Sequence, residues 1–157
     1  MKKIVFVIMV FAFGLMAHDY VGAKKCKSCH NSKKKANLQQ YKVWEKAKHS
    51  KAFEILSPEE QKNPECLKCH TTAYEITKGD PKFHGVQCEQ CHGAGKNYKK
   101  KKVMKSRKLS KSKGLLFPNE KTCTVCHNDS HKHHKPFNFK EYTEKIKHWE
   151  GKVGDNK

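Results

Sequence analysis

The sequence has few of the residues from which a domain of its length normally builds a core. Only 36% of its 157 residues are hydrophobic, and the aliphatic residues are scattered along the chain. No segment alternates apolar and polar side chains as a half-buried strand does, which argues against a fold built on β-sheets. A polypeptide core alone is therefore insufficient, and we predict that large apolar groups from outside the chain complete it.

Acidic residues are also scarce, since 15 Asp and Glu stand against 34 Lys and Arg and leave a formal net charge of +19. The lysines fall in runs, at residues 24–25, 33–35 and 99–102. Aromatic residues are not interleaved with these runs, which argues against nucleic acid as a partner. We predict that the basic surface attracts acidic partner proteins, with the alternative that it only keeps the protein soluble.

A long apolar run is missing as well. Lys2 and Lys3 precede an apolar run of thirteen residues, 4–16, that ends at Ala17, whereas a membrane-spanning helix needs roughly 20. This order is typical of a secretory signal peptide. We predict a signal peptide at residues 1–17 and one exported, periplasmic or otherwise secreted, domain at residues 18–157. The alternative is an uncleaved membrane anchor.

What the sequence does contain is eight cysteines, all within four Cys-x-x-Cys-His motifs. The cysteines are Cys26, Cys29, Cys66, Cys69, Cys88, Cys91, Cys123 and Cys126, and the histidines that follow them are His30, His70, His92 and His127. Disulfides and zinc sites also use such cysteines, but neither needs a histidine at the next position. Two thiols separated by two residues reach the two vinyl groups on one edge of a porphyrin, and the adjacent histidine then falls over the iron. We predict four covalently attached haem c groups.

The fold predicted around these haems is mainly α-helical with much irregular loop, as in compact multihaem cytochromes. Helical spacing of apolar residues predicts one helix over residues 37–56 and a second that begins near Asn138, where Asn138 and Glu141 form a capping box. Residues 57–60 indicate the start of a short helix and residues 79–81 a turn. The polar, lysine-rich segment 97–112 is predicted to be a linker.

The sixth ligand of each iron decides between electron transfer and substrate chemistry, because a second histidine saturates the iron. Seven histidines remain: His18, His49, His84, His131, His133, His134 and His148. His49 lies on the flank of the apolar stripe of the first predicted helix and is a candidate distal ligand. His148 lies near the end of the second helix, where an ideal helix would point it away from the apolar face, so the helix unwinds there or a haem lies on the other side.

The remaining histidines are weaker candidates. His131, His133 and His134 fall in a segment without periodicity, which predicts a loop, and His134 is retained as a candidate ligand from this cluster. The alternative is a solvated loop. His84 is close in sequence to the third motif and either contacts that haem or only lines it. His18 would be the new amino terminus and is predicted to be free.

Several segments outside the cysteines resemble the cytochrome c-554 family of tetrahaem carriers. They are Tyr20-x-Gly22, Trp44 followed by His49-Ser50-Lys51-Ala52, and Gly85-Val86-Gln87-Cys88-Glu89-Gln90-Cys91-His92-Gly93-Ala94-Gly95. The resemblance implies three haems ligated by two histidines and a five-coordinate second haem, the one bound at His70. It also matches His49 and, more loosely, His148 to distal ligands. After Gly95 the family's histidine for the first haem has no counterpart, and we hypothesise that Met104 replaces it.

The favoured function is an electron-transfer protein that shuttles electrons between acidic redox partners, with peripheral association with a membrane-bound redox complex as a further expectation. One alternative is a haem enzyme that binds or reduces a small nitrogen compound, such as nitric oxide, nitrite or hydroxylamine, at an open second haem. No acid, base or substrate pocket is evident beside His70, so we favour the carrier over the enzyme. Another alternative is a protomer of a larger haem assembly.

Overall fold

A computed structural model describes residues 19–33, 35, 39–131 and 133–148; the predicted signal peptide at 1–17 and His18 lie outside these residues. The described chain forms short α-helices joined by irregular loops. They are α1 (Lys24–His30), α2 (Gln40–Lys46), α3 (Pro64–His70), α4 (Tyr74–Thr77), α5 (Cys88–His92), α6 (Lys101–Met104), α7 (Arg107–Ser112), α8 (Glu120–Thr124) and α9 (Phe139–Ile146). Within that part of the chain the only β-pairing is an isolated bridge between Thr71 and His84. The predicted fold class, mainly helical with much loop, is confirmed.

The Cys-x-x-Cys-His motifs decide where several helices end. The helices α1, α3 and α5 each end on the histidine of a motif. Asn63 begins α3, since its side chain accepts the backbone N–H of Glu65 and Pro64 follows it. Gly93 ends α5 with a φ of +76°, a conformation that glycine adopts without steric cost. One turn of helix therefore presents both thiols and the histidine of each of these motifs together.

The prediction of one continuous helix over residues 37–56 is wrong. The helix α2 ends at Lys46, Ala47 is extended at ψ 155°, and a 3-10 helix follows over Lys48–Lys51. The Ser50 hydroxyl donates to the carbonyl oxygens of Ala47 and Glu45 at 2.8 and 2.9 Å, and thereby satisfies backbone groups that a continuous helix would bond itself. The break frees the backbone around His49 for contacts with another segment.

The predicted linker at 97–112 is also corrected, because it contains both α6 and α7. Ser106 caps α7 by accepting the Leu109 N–H, and Tyr98, Val103 and Ser110 are buried. These three buried residues are spaced along the lysine-rich segment and form the side of it that faces the protein interior.

The second predicted helix is confirmed as α9. The Asn138 side chain accepts the N–H of Glu141 at 3.0 Å. The helix stops at Ile146, and Lys147 leaves the helical conformation at a ψ of 125°. His148 is therefore beyond the helix, so the helical direction that pointed it away from the apolar face does not apply.

The apolar core of the described residues is small. Its buried members are Ala23, Tyr41, Ala52, Leu56, Leu67, Phe83, Tyr98 and Val103. The largest side chains that are almost fully buried are polar, namely Glu89, Thr71, Thr72 and Ser110. Such groups are buried only with hydrogen-bond partners, so the fold is held by polar contacts to backbone as much as by apolar packing. None of the helices in this part of the chain is long and apolar enough to cross a membrane.

Candidate haem sites

The eight cysteines are free thiols, and they stand where thioether sulfurs would be in a haem-loaded protein. Two pairs of thiols from different motifs are near neighbours. Cys88 of the third motif lowers the pKa of Cys26 of the first. Cys126 of the fourth motif lowers the pKa of Cys69 of the second to about 7. The first site thus adjoins the third, and the second adjoins the fourth.

The third and fourth motifs are neighbours as well. Burial raises the pKa of the Cys91 thiol to about 11, and the charge of Cys123 adds to the effect. These electrostatic effects place the first motif near the third, the third near the fourth and the fourth near the second. This spatial order differs from the order in the sequence, in which the second motif precedes the third.

Three of the four motif histidines are oriented by a hydrogen bond at Nδ1. His30 donates to the Gln40 side-chain oxygen at 2.9 Å, His70 to the Ala52 carbonyl at 2.5 Å and His92 to the Leu116 carbonyl at 3.0 Å. Because these partners are acceptors, Nδ1 carries the proton and the lone pair lies on Nε2. This is the tautomer that a metal-ligating histidine needs, with its other nitrogen held by an oxygen.

His127 of the fourth motif is held differently, by aromatic packing. Its ring stacks on Phe137 with centroids 4.8 Å apart and an interplanar angle of 14°, and the edge of Tyr142 lies 5.9 Å away. Burial lowers the pKa of His127, with a smaller contribution from His131, so the neutral form is favoured. Neutral imidazole is the form that binds a metal.

Two candidate distal histidines face motif histidines at the spacing that one iron atom requires. The ring centroids of His49 and His127 are 6.1 Å apart, and those of His92 and His148 are 6.0 Å apart. A metal held about 2 Å from a nitrogen on each side places the two ring centroids about 6 Å apart. His148 also donates its Nδ1–H to the Ile146 carbonyl, which leaves the lone pair on Nε2. These residues fit iron ligated by two histidines at the fourth and third sites.

The other candidate histidines make different contacts. His84 and His131 both use Nε2 to donate to a backbone carbonyl, of Gly79 at 3.1 Å and of Cys126 at 2.9 Å. The His84 ring also stacks on Phe53 at 3.4 Å. In these positions Nε2 is occupied, and ligation by either residue would require the ring to turn or to use Nδ1.

The loop histidines and Met104 stay predictions. His133 approaches Glu60 at 3.7 Å, and His134 donates from Nδ1 to the Asn128 carbonyl at 2.7 Å. Over the described ranges no three His, Cys, Asp or Glu side chains cluster as a metal site. Met104 is half-buried at the end of α6.

The sequence reasoning missed the structural role of Glu89, which lies between the two cysteines of the third motif. Its carboxylate is 1% exposed and accepts backbone N–H groups of Val21 at 2.9 Å, Gly22 at 2.7 Å and Gly95 at 2.6 Å. Val21 and Gly22 immediately precede the first motif. Glu89 therefore ties the start of the first site to the third, and a charge between two cysteines was the signal for it.

Two glutamines extend this anchoring, Gln87 just before the third motif and Gln90 within it. Gln87 accepts the Ala23 N–H at 2.7 Å, and Gln90 accepts the Ala73 N–H at 2.8 Å. Ala23 lies before the first motif and Ala73 after the second. The third motif is consequently the hub that holds the backbone of two others.

Glycines beside the third motif allow close backbone contacts. Gly85 has a φ of +81°, and a Cβ there would lie 2.7 Å from the Ser50 carbonyl oxygen. The next residue, Val86, donates its N–H to the His49 carbonyl at 2.9 Å and accepts the Trp44 indole N–H at 2.7 Å. Gly85 thus lets the strand-like segment before the third motif position the backbone of His49.

Part of the chain is similar to a known protein family. Residues 25–93 match the family model described as cytochrome c554 and c-prime. The chain is 28% identical over 141 residues to cytochrome c-554 of Nitrosomonas europaea (strain ATCC 19718 / CIP 103999 / KCTC 2705 / NBRC 14298), covering 69% of this chain and 57% of that protein. The chain thus spans somewhat over half the length of this curated relative. No solved structure matches it significantly.

Proposed function

We propose that the chain is a cytochrome c-554 family protein and an exported electron carrier with four c-type haems, because residues 25–93 match that family's model and the chain is 28% identical to a cytochrome c-554. Bound haem supplies one-electron chemistry at its iron. The observation that carries the proposal is the arrangement of the Cys-x-x-Cys-His motifs, since side chains at the third motif bond to the backbone beside the first and the second. Motifs this close would hold bound haems near one another, as successive electron hops require.

The order of the motifs gives the carrier two ends. The first and second sites lie at opposite ends of the series, and the third and fourth lie between them. We propose that electrons enter at one end site and leave at the other. The ring pairs His92 with His148 and His49 with His127 support six-coordinate, bis-histidine iron at the two inner sites. Such iron carries electrons and is closed to substrates.

Haem analysis of the exported protein tests this proposal. Intact mass and a pyridine haemochrome assay are expected to give four haems per chain, and the mature protein is expected to begin at His18. A potentiometric titration should show four one-electron changes. Fewer than four haems, or reduced irons that do not pass electrons to another redox protein, would refute the carrier.

The second site supports a second function, binding of a small nitrogen compound. Among the described residues, the two facing histidine pairs are His49 with His127 and His92 with His148, and neither includes His70. This arrangement favours an open iron at His70. Electron paramagnetic resonance of the oxidised protein should then show one high-spin ferric signal that nitric oxide abolishes. Only low-spin signals would argue against this function.

A further inference from the structure

The positive charge of the chain is concentrated in one segment, residues 96–113, which we call the basic hairpin. It contains ten of the 34 Lys and Arg residues and none of the 15 Asp and Glu. These 18 residues therefore account for more than half of the formal net charge of +19. All ten cationic residues are exposed except Arg107, which is half-buried.

The basic hairpin is held in place by the third site. The Leu116 N–H donates to the His92 carbonyl at 3.0 Å, and His92 Nδ1 donates to the Leu116 carbonyl at the same distance. At the other end, the Tyr98 hydroxyl donates to the Gly93 carbonyl at 2.7 Å. Within the segment, the side chains of Tyr98 and Val103 are buried. The exposed lysines consequently form a fixed surface rather than a mobile tail.

Carboxylates neutralise lysines elsewhere on the molecule but hardly in the basic hairpin. Ion pairs join Lys27 to Glu45, Lys51 to Glu54, Lys68 to Glu65, Lys78 to Glu75, Lys145 to Glu141 and Lys147 to Glu144. In the described chain, the one ion pair of the hairpin is Lys96 with Asp19 at 3.0 Å. The remaining cations repel one another, and an acidic surface would relieve this repulsion.

The basic hairpin lies beside the first and third sites. Lys96 donates its backbone N–H to the Asp19 carbonyl at 3.0 Å and pairs its ammonium group with the Asp19 carboxylate at 3.0 Å, and Asp19 precedes the first motif by a few residues. Tyr98 lies close enough for the charges of Cys26 and Cys88 to act on its pKa, which burial raises above its usual range. The segment therefore borders the end of the series at which the first site lies.

We propose that the basic hairpin is the docking surface for an acidic redox-partner protein and that electrons cross at the first Cys-x-x-Cys-His site. This inference rests on the proposed function and assigns a partner to one of the two ends of the series of motifs. A protein suits the surface better than a bilayer, because α6 and α7 span only four and six residues and offer no long apolar face. It also suits the surface better than nucleic acid, since the aromatic residue of the segment, Tyr98, is buried and offers no ring on which a base could stack.

Charge reversal in the haem-loaded protein tests the proposal. The hairpin variant carries Lys101→Glu, Lys105→Glu and Lys108→Glu. The control carries Lys62→Glu, Lys121→Glu and Lys140→Glu, which are equally exposed and change the net charge by the same amount. Reduction by flavodoxin semiquinone, a small acidic protein, is followed by stopped flow. We expect the hairpin variant to react about tenfold more slowly at low salt and the control less than about twofold, and the difference to vanish near 1 M salt.

Equal slowing of both variants would overturn the docking surface, since net charge alone would then explain it. The proposal would also fall if the hairpin reversal abolished binding to phosphatidylglycerol vesicles or to DNA yet left reduction by flavodoxin unchanged. Dithionite reduction of each variant shows whether the irons still accept electrons. Failure of the wild type with dithionite would sink the electron carrier itself, whereas normal dithionite reduction with equal flavodoxin rates sinks only the docking surface.

Discussion

The third and fourth Cys-x-x-Cys-His motifs share a pattern but are held by different forces. Around the third, the buried side chains of Glu89 and Gln87 accept backbone N–H groups, and His92 bonds to a carbonyl. Around the fourth, α8 and α9 bury none of their described residues, and His127 is held by Phe137 and Tyr142. The polypeptide thus organises the third site, while the fourth depends more on apolar contact, to which a porphyrin would add.

Of the variants that test this difference, Glu89→Ala is expected to have the largest effect on stability. Loss of the carboxylate leaves the buried N–H groups of Val21, Gly22 and Gly95 without their acceptor. We expect the free energy of unfolding to fall by about 4 kcal/mol, measured by denaturant titration. Glu75→Ala, which removes an exposed carboxylate paired with Lys78, should change it little. Similar losses in both variants would show that the third motif is not a hub.

Gly85→Ala tests the close backbone contact beside the third motif. A Cβ there would lie 2.7 Å from the Ser50 carbonyl at a φ of +81°, whereas a Cβ at Gly114, also at positive φ, meets nothing within 4 Å. Gly114→Ala should cost about 1 kcal/mol from backbone strain alone. Gly85→Ala should cost about 1 to 3 kcal/mol more because of the added clash. Thermal unfolding of the two variants gives the comparison, and equal costs would contradict the contact.

Phe137→Ala tests the aromatic support of the fourth site. Removal of the stacked ring should lower the free energy of unfolding by about 1 kcal/mol, less than the loss in Glu89→Ala. It should also alter one low-spin electron paramagnetic resonance signal, because His127 is freed to rotate. Phe117→Ala, which removes a ring packed against Arg107, should leave that signal unchanged. An unaltered spectrum in Phe137→Ala would mean that haem contacts alone orient His127.

The smallest effect concerns alkaline pH and Tyr98. Burial raises the pKa of Tyr98 in the folded state, with the charge of Glu89 adding to it. The unfolded chain ionises this phenol near pH 10, so the stability that the neutral phenol contributes is present below pH 10 and is lost as pH rises above it. Tyr98→Phe should show a shallower decline above pH 10, after allowance for the lost bond to Gly93. A decline as steep as that of the wild type would exclude this role.

Motif spacing was enough to predict the local structure of the third site but not the contacts that hold the site in place. The pair of cysteines with the histidine, the helix α9 and its cap at Asn138 follow from short-range patterns. The break at Ala47 does not, because a hydroxyl of Ser50 and the approach of Val86 compete with the helix there. The helices α6 and α7 were missed since lysine runs conceal the spaced burial of Tyr98, Val103 and Ser110.

The sequence by itself predicts the number and the chemistry of the sites, because haem attachment uses residues that are adjacent in the chain. It also selected His49 and His148 as candidate ligands, since His49 flanks the apolar stripe of the first predicted helix and His148 lies near the end of the second. Only the tertiary structure decided that His49 faces His127 and that His148 faces His92, 78 and 56 residues apart in the sequence. It also decided that the third motif lies between the first and fourth. Such pairings depend on loops that bring distant segments of the chain together. The buried carboxylate of Glu89 holds one of these segments in place. Its partners are backbone N–H groups, which any residue carries, so the sequence alone does not reveal them.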